Sequence, residues 1–249
     1  MPTAVITGPT AGIGLAFARA LAREGYDVVL VARDAARLQE VAAELTASHG
    51  VACEVLRADL SDGDDTRRVE ERLLRGPVDL LVNNAGFGMR PPFDAADIDD
   101  EQRSLDVLVR AVMRLTHAGL THMLAQGRGD ILNVSSVAGF LPRGTYGANK
   151  AWVTSFSSWC NVRYRRQGIR VMALCPGFVH TEFHRRMGVD MKGIPDWMWL
   201  NADNVVREAL SDLRAGKAVS VPSLRWKVVA ALSRLVPRRF MERIARRGR

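Results

Sequence analysis

Short apolar runs alternate with helix-period segments along this chain, and that alternation leaves few architectures open. Thr3–Thr7, Asp27–Ala32, Val51–Arg57, Val78–Val82, Asp130–Ser135 and Ile169–Cys175 read as strands. Each is a run of apolar or β-branched residues bounded by glycine, proline or aspartate, the pattern of a parallel strand buried on both faces. Between them, Gly14–Glu24, Ala35–His49, Asp64–Arg75, Glu101–Leu124 and Tyr146–Gln167 repeat at helical spacing. Repeated strand–helix alternation predicts one α/β domain over residues 1–221, a doubly wound parallel sheet with helices on both faces. Such sheets bind ligands beyond the carboxyl ends of their strands, so the loops after the strands are the places to inspect.

Composition narrows the class. With 249 residues, 47% hydrophobic and 25% charged, the chain can bury a sizeable core and is not a disordered polymer. No apolar stretch reaches the roughly 20 residues of a membrane-spanning helix. The start, MPTAVITGPT, lacks the basic-then-apolar pattern of a secretory signal. Cys53, Cys160 and Cys175 form an odd set without metal-ligand spacing, which suits a reducing compartment, and the expected location is the cytoplasm. The histidines form no ligand cluster, so no metal is expected. The net charge of +8 is localised: residues 222–249 hold nine basic residues against one acid, while residues 1–221 hold 26 of each sign. A neutral body argues against nucleic acid and for an enzyme with an added surface feature.

The strand ends carry the chemistry. After the first strand comes Thr7-Gly8-Pro9-Thr10-Ala11-Gly12-Ile13-Gly14, a glycine-rich turn into a helix. Its backbone can approach a pyrophosphate, and the helix start supplies free N–H groups and a favourable dipole. The second strand ends at Ala32, followed by Arg33 and Asp34. A guanidinium there suits a 2′-phosphate, so NADP is favoured over NAD, although Asp34 could still accept from a ribose hydroxyl. Asp59, before Leu60, could accept from an adenine amino group or cap the next helix. Asn83-Asn84-Ala85-Gly86 can brace the sheet and let the backbone pass close to a cofactor. Ser135 and Ser136 end the fifth strand. Tyr146 and Lys150, four residues apart, share a helical face. An unperturbed tyrosine, pKa about 10, is a poor base at neutral pH, and reaching 7 takes about 4 kcal/mol of differential stabilisation, which a nearby ammonium and a cationic nicotinamide could supply.

In that order and spacing these motifs resemble the short-chain dehydrogenase/reductase family from Thr7 to Thr181, through Pro176-Gly177-Phe178-Val179-His180-Thr181. The resemblance implies a single Rossmann domain and hydride transfer between a nicotinamide and a carbonyl or alcohol. It implies Tyr146 as general acid/base, Lys150 as the group that holds the nicotinamide ribose and lowers the tyrosine pKa, and Ser136 as the donor to the substrate oxygen. It implies cofactor contacts at Gly8, Thr10, Gly12, Ile13, Gly14, Arg33, Asp59, Leu60, Asn84, Ala85, Gly86, Tyr146, Lys150, Pro176 and Gly177, with Val179 and Thr181 at the carboxamide. A homo-oligomer, dimer or tetramer, is expected.

Two departures stand out. The family's asparagine in the long helix after Asn-Asn-Ala-Gly aligns with Leu108, so its relay to the lysine must be absent or built otherwise. That keeps a second reading open, a dinucleotide-binding sensor or scaffold with weakened turnover. Ser136 precedes Tyr146 by ten residues, closer than usual, which predicts a more open substrate wall at Val137–Thr145. Residues 182–200 fall where the family has a lid. Met187, Val189, Met191, Ile194, Trp197, Met198, Trp199 and Leu200 there suit a bulky lipophilic substrate or simple packing on the body. In the tail, Leu224, Val228, Leu232 and Leu235 share one face of an amphipathic helix. After Pro237, Phe240, Met241 and Ile244 form a second apolar face. This basic tail fits an anionic membrane surface, such as the inner face of the cell membrane, or a contact with the body or another subunit.

Overall fold

The computed structural model describes residues 1–88, 92–142, 144–182 and 193–235. Seven parallel strands lie in the order β3-β2-β1-β4-β5-β6-β7. The strands are β1 (Thr3–Thr7), β2 (Asp27–Ala32), β3 (Cys53–Arg57), β4 (Leu80–Asn83), β5 (Gly129–Val134), β6 (Ile169–Leu174) and β7 (Val219–Ser220). The connecting helices are α1 (Gly12–Arg23), α2 (Ala35–His49), α3 (Gly63–Arg75), α4 (Ile98–Leu105), α5 (Ala111–Gln126), α6 (Gly144–Tyr164), α7 (Ala202–Arg214) and α8 (Leu224–Leu235). One core, under α1, α2 and α7, buries Ile6, Phe17, Leu21, Leu30, Leu38 and Leu210; the other, under α3, α5 and α6, buries Val5, Val69, Leu81, Leu115, Ile131 and Val171. The doubly wound fold follows from strands that need cover on both faces.

The strands differ from the sequence reading at their edges, for local reasons. β4 starts at Leu80 rather than Val78, because the Asp79 carboxylate accepts the Thr3 N–H at 2.8 Å and ladder pairing begins at Ala4 and Leu80. β3 is an edge strand with no fully buried residue, and it begins at Cys53. The helix read as Glu101–Leu124 begins at Ile98, where the Asp97 side chain accepts the Asp99 N–H at 2.9 Å. It passes through one π-helical stretch, Asp106–Arg110, into α5, which stops at Gly127 in the left-handed region. α7 and β7 were not among the elements read from the sequence. The Asn201 cap and the buried stripe Val205, Val206, Ala209, Leu210, Leu213 mark α7, whereas β7 is only two residues long.

The tail is partly body. In α8, Trp226 and Ala230 are buried, and the Trp226 indole N–H donates to the Met198 carbonyl at 3.1 Å. A Cβ on Gly177 would fall 2.0 Å from the Trp226 ring, so only glycine lets this helix dock. Leu224, Val228 and Leu232 face outward. The first part of the expected tail therefore packs on the body through one side of α8. Pro237, Phe240, Met241 and Ile244 lie outside the described residues.

A buried polar brace crosses the sheet where β4 meets β5. The Asn83 amide donates to Asn133 Oδ1 at 2.8 Å and to Thr116 Oγ1 at 3.2 Å, and the Asn133 amide donates to Ser157 Oγ at 2.9 Å. Asn83, Thr116, Asn133 and Ser157 are all buried, so none can turn to water for a substitute. Asn133→Ala removes the bonds to Asn83 and Ser157 from a low-dielectric interior, although Asn83 keeps Thr116 and Ser157 keeps the Val153 carbonyl at 2.7 Å, and is expected to lower unfolding stability by about 1–3 kcal/mol, measured as a shift in the denaturant midpoint.

Candidate active site

The order of the sheet reverses between β1 and β4, and a cavity of about 910 Å³ opens beyond the strand ends at that point. Thr7 ties the two strands together: its Oγ1 accepts the Asn84 and Ala85 N–H groups, each at 2.9 Å. The Asn84 amide in turn donates to the Thr7 and Gly8 carbonyls at 2.9 and 3.0 Å. Gly8 and Gly12 hold positive φ values of 68° and 57°, which only glycine adopts without strain. Thr10, Ala11, Gly12 and Ile13 then line the cavity. Gly14 does not line it. A Cβ there would lie 2.1 Å from the Gly8 carbonyl oxygen, so Gly14 serves the close packing of α1 on the turn rather than contact with a ligand.

The start of α1 differs from its neighbours. α2, α3, α4 and α7 are capped by the Asp34, Asp62, Asp97 and Asn201 side chains, whereas the N-cap of α1 is Ala11, which offers no side-chain acceptor, and its first turn holds no acid. Its N–H groups and dipole therefore face the cavity without an internal anion. The residues present fit a dinucleotide pyrophosphate.

At the second strand end, Ala32, Arg33, Asp34 and Arg37 line the cavity. Arg33 is well exposed and lies 3.8 Å from an Asp59 oxygen. Asp34 accepts the Arg37 N–H at 3.0 Å as the cap of α2. Asp59 is not a helix cap; Asp62 takes that role for α3, while Asp59 accepts from the Ser61 N–H and hydroxyl at 2.9 and 2.7 Å. Arg37 is a wall residue that the motifs missed. Its spacing of four from Arg33, across the start of α2, was the available signal.

Ser136, Tyr146 and Lys150 all line the same cavity, with Asn84, Ala85, Gly86, Leu60, Pro176, Gly177, Val179 and Thr181. A Cβ on Gly12 would approach Thr181 to 3.1 Å, so the first and last loops of the site touch. The two serines divide their work. Ser135 is buried, its hydroxyl bonded to the Lys150 carbonyl and Thr154 Oγ1, each at 2.7 Å. Ser136 accepts the Ala138 N–H at 3.1 Å and is hydrogen-bonded to Tyr146. The loop after it winds into a short 3₁₀ turn, Val137–Phe140. Gly139 seats that turn against α6, since a Cβ there would come within 2.8 Å of the Ala151 nitrogen.

The protein's own groups do not by themselves produce the lowering expected for Tyr146 from Lys150 together with a cationic nicotinamide. Burial pushes the Tyr146 phenol up to about 12, with its hydrogen bond to Ser136 pulling the other way. Burial likewise pulls the Lys150 ammonium down to about 8. The Lys150 nitrogen lies 5.7 Å from the Tyr146 ring centre and donates to the Val134 carbonyl at 2.7 Å. At this separation desolvation outweighs any charge effect on the phenol. Leu108 is fully buried, and a Cβ on Gly86 would meet its Cδ2 at 2.8 Å and the Lys150 nitrogen at 3.9 Å. An apolar side chain thus occupies the neighbourhood of the lysine.

Of the expected lid, Met187, Val189 and Met191 lie outside the described residues. Trp199 stacks on His180 at 4.7 Å and packs on Phe178 at 5.6 Å, and Met198 packs against the core. Leu200 bridges to Val179. Trp197 is exposed. Apolar cavity wall comes instead from Phe87, Val107, Val137, Leu141 and Phe178. Among the described residues no group of side chains could hold a metal ion.

The short-chain dehydrogenase family model matches residues 2–192. The chain belongs to that family. It is an oxidoreductase of the short-chain dehydrogenase type, similar to a short-chain dehydrogenase from Sphingobium yanoikuyae solved in complex with NADPH: 36% identity, TM-score 0.86, 94% of each chain covered. It is similar also to the bulky-bulky ketone specific alcohol dehydrogenase of Comamonas testosteroni, at 30% identity and TM-score 0.82 over 94% of this chain and 92% of that one. The rat 17-beta-hydroxysteroid dehydrogenase type 3 is 32% identical over 242 residues, 95% of this chain and 77% of the relative.

The lysine of this short-chain dehydrogenase should report on its own burial. With a folded pKa of about 8 against 10.5 unfolded, the buried ammonium opposes folding below pH 8, and that penalty fades as pH rises towards 10.5. Without cofactor, the stability of the native chain relative to Lys150→Met should therefore rise by about 2 kcal/mol between pH 8 and 10, read from paired denaturant titrations.

Proposed function

We propose that this short-chain dehydrogenase catalyses hydride transfer between NADP(H) and the carbonyl or alcohol of a bulky, lipophilic substrate. One observation carries the reading: Ser136, Tyr146 and Lys150 share one cavity with a glycine-rich turn whose helix start has no side-chain cap. Gly8, Thr10, Gly12 and Ile13 would hold the pyrophosphate, Arg33 the 2′-phosphate, and Thr181 and the Val179 backbone the carboxamide. When bound, the nicotinamide supplies or accepts the hydride.

The protein's own groups handle the oxygen and its proton. Ser136 and Tyr146 are hydrogen-bonded to each other, so both hydroxyls can reach a single carbonyl oxygen. Two donors on that oxygen stabilise the alkoxide charge that develops during reduction. A phenol pushed up to about 12 keeps its proton through neutral pH, which is the form that protonates an alkoxide. Lys150, lowered to about 8, is still mostly charged at pH 7 and stands 5.7 Å from the Tyr146 ring centre. Phe87, Val107, Leu141 and Phe178 give the cavity an apolar wall, and two of the similar proteins are named for bulky ketones and hydroxysteroids. Leu108 beside Lys150 favours a second reading, a nucleotide-binding sensor with slow turnover.

Turnover of bulky ketones with NADPH separates the two readings. In the enzyme, Tyr146→Phe should lower kcat at least about 100-fold and leave NADPH affinity within about twofold, because only the transferable proton is lost. A native chain that binds NADPH tightly yet reduces nothing in a broad carbonyl panel is the sensor. Cofactor choice is a separate check. Arg33→Ala should weaken NADPH binding about 10- to 100-fold with little effect on NADH, the worth of a charge-assisted phosphate contact of about 1.5–3 kcal/mol. Equal affinity of the native chain for both cofactors would remove Arg33 from that role.

A further inference from the structure

We propose that the outward face of α8, with the basic segment that follows it, docks on an anionic phospholipid surface. α8 is already anchored on one side, where Trp226 and Ala230 are 5% and 6% exposed. Its other side presents Leu224, Val228 and Leu232, at 75%, 49% and 54% exposure. Their spacing of four lines them up along one side of the helix. Val229 and, on the neighbouring segment, Trp197 add exposed apolar surface, and the Arg225 guanidinium donates to the Trp197 carbonyl. The apolar ridge of α8 therefore faces away from the side that packs on the body.

Charge selects the occupant. Residues 222–249 carry nine basic residues and one acid, whereas the rest of the chain is balanced at 26 of each. A two-fold contact with a second copy through this face would set two such segments against each other. Folding the segment after α8 back onto the ridge would bring Arg238, Arg239 and Arg243 to a helix whose own sequence holds Arg225 and Arg234, besides Lys227, which pairs with Glu208 at 2.5 Å. An anionic bilayer meets both needs: the ridge enters the headgroup boundary, and each basic side chain that reaches the surface strengthens attachment about fivefold. No helix among the described residues is long and apolar enough to cross a membrane, so the attachment is peripheral.

The location has a functional consequence. Trp226 packs edge-on against Phe178, 5.5 Å between ring centres, and on Gly177, and both of these line the active cavity. Docking through α8 would hold that edge of the cavity beside the lipid, where apolar substrates concentrate. Attachment itself does not depend on the substrate reading and is measured without turnover.

The test is co-sedimentation of the full chain with vesicles of phosphatidylcholine alone and of phosphatidylcholine mixed equally with phosphatidylglycerol. Truncation at Val221 is unsuitable, since it strips Trp226 from Gly177 and uncovers the core. The native chain should pellet with the anionic mixture only, and high salt should release it. Leu224→Ser/Val228→Ser/Leu232→Ser and Arg238→Glu/Arg239→Glu/Arg243→Glu should each lower partitioning at least about tenfold. The serine variant should keep the native melting temperature and NADPH binding, because Leu224, Val228 and Leu232 are exposed and lie outside the cavity, and the glutamate variant counts only with both unchanged. Failure of the native chain to pellet with the anionic mixture overturns the proposal, as does native-like pelleting of the serine variant. A native chain that stays in the supernatant as an oligomer, which the serine variant breaks, assigns the ridge to a second copy instead.

Discussion

The site depends on how β1 and β4 part company at the reversal of the sheet. Their following loops run to opposite faces, and a crevice opens only if the backbones stay locked below it. Thr7 Oγ1 provides the lock by taking two N–H groups from the β4 end, and the Asn84 amide closes it over the glycine turn. The lock leaves no room for side chains: Gly14 meets the Gly8 carbonyl, and Gly8 packs on Ala85. The glycine-rich turn is thus fixed from both sides, and the start of α1 is held uncapped above it. One layer lower, the Asn83–Asn133–Ser157 chain ties the same region to α6, the helix that carries Tyr146 and Lys150. Cofactor cradle and proton-handling groups are two ends of one polar framework.

Burial sets the character of the reacting groups. A phenol and an ammonium in one water-poor pocket are each pushed towards the neutral form, up for Tyr146 and down for Lys150. The two shifts make the pair a proton donor beside a still-charged lysine near neutral pH. The hydrogen bond with Ser136 favours the phenolate, and Ser136 is also the second hydroxyl on the proposed substrate oxygen. Leu108 keeps the surroundings of the lysine apolar, which is consistent with the same downward shift.

The carboxyl-terminal part of the chain links the cavity to the outer surface. Phe178, in the loop that lines the site, contacts Trp199 and Trp226, and the Trp226 indole holds the Met198 carbonyl. These contacts commit Trp199, read from the sequence as suited to a substrate, to packing on Phe178 and His180, whereas Trp197 stays exposed. What they leave outward is the Leu224–Leu232 ridge, next to the most basic stretch of the sequence.

The doubly wound sheet is legible in the sequence, because buried strands and amphipathic helices announce themselves by period, and six strands and five helices stand out there. The sequence by itself determined the residues at the strand ends too, since the turn glycines and the Tyr146–Lys150 spacing are local features, and Ser136, Tyr146 and Lys150 do share one cavity. Tertiary structure decided what depends on neighbours distant in sequence. Asp59 lost its capping alternative to Asp62, and Gly14 became a packing residue, once the chains surrounding them were in place. Arg37 reached the cavity wall through the way α2 leaves β2. Burial of Tyr146 raises its pKa because desolvation is a property of the folded pocket, which no spacing between two residues encodes. Which side of α8 is buried was likewise settled by a vacancy in another segment: Gly177, lacking a side chain, makes the space that Trp226 fills.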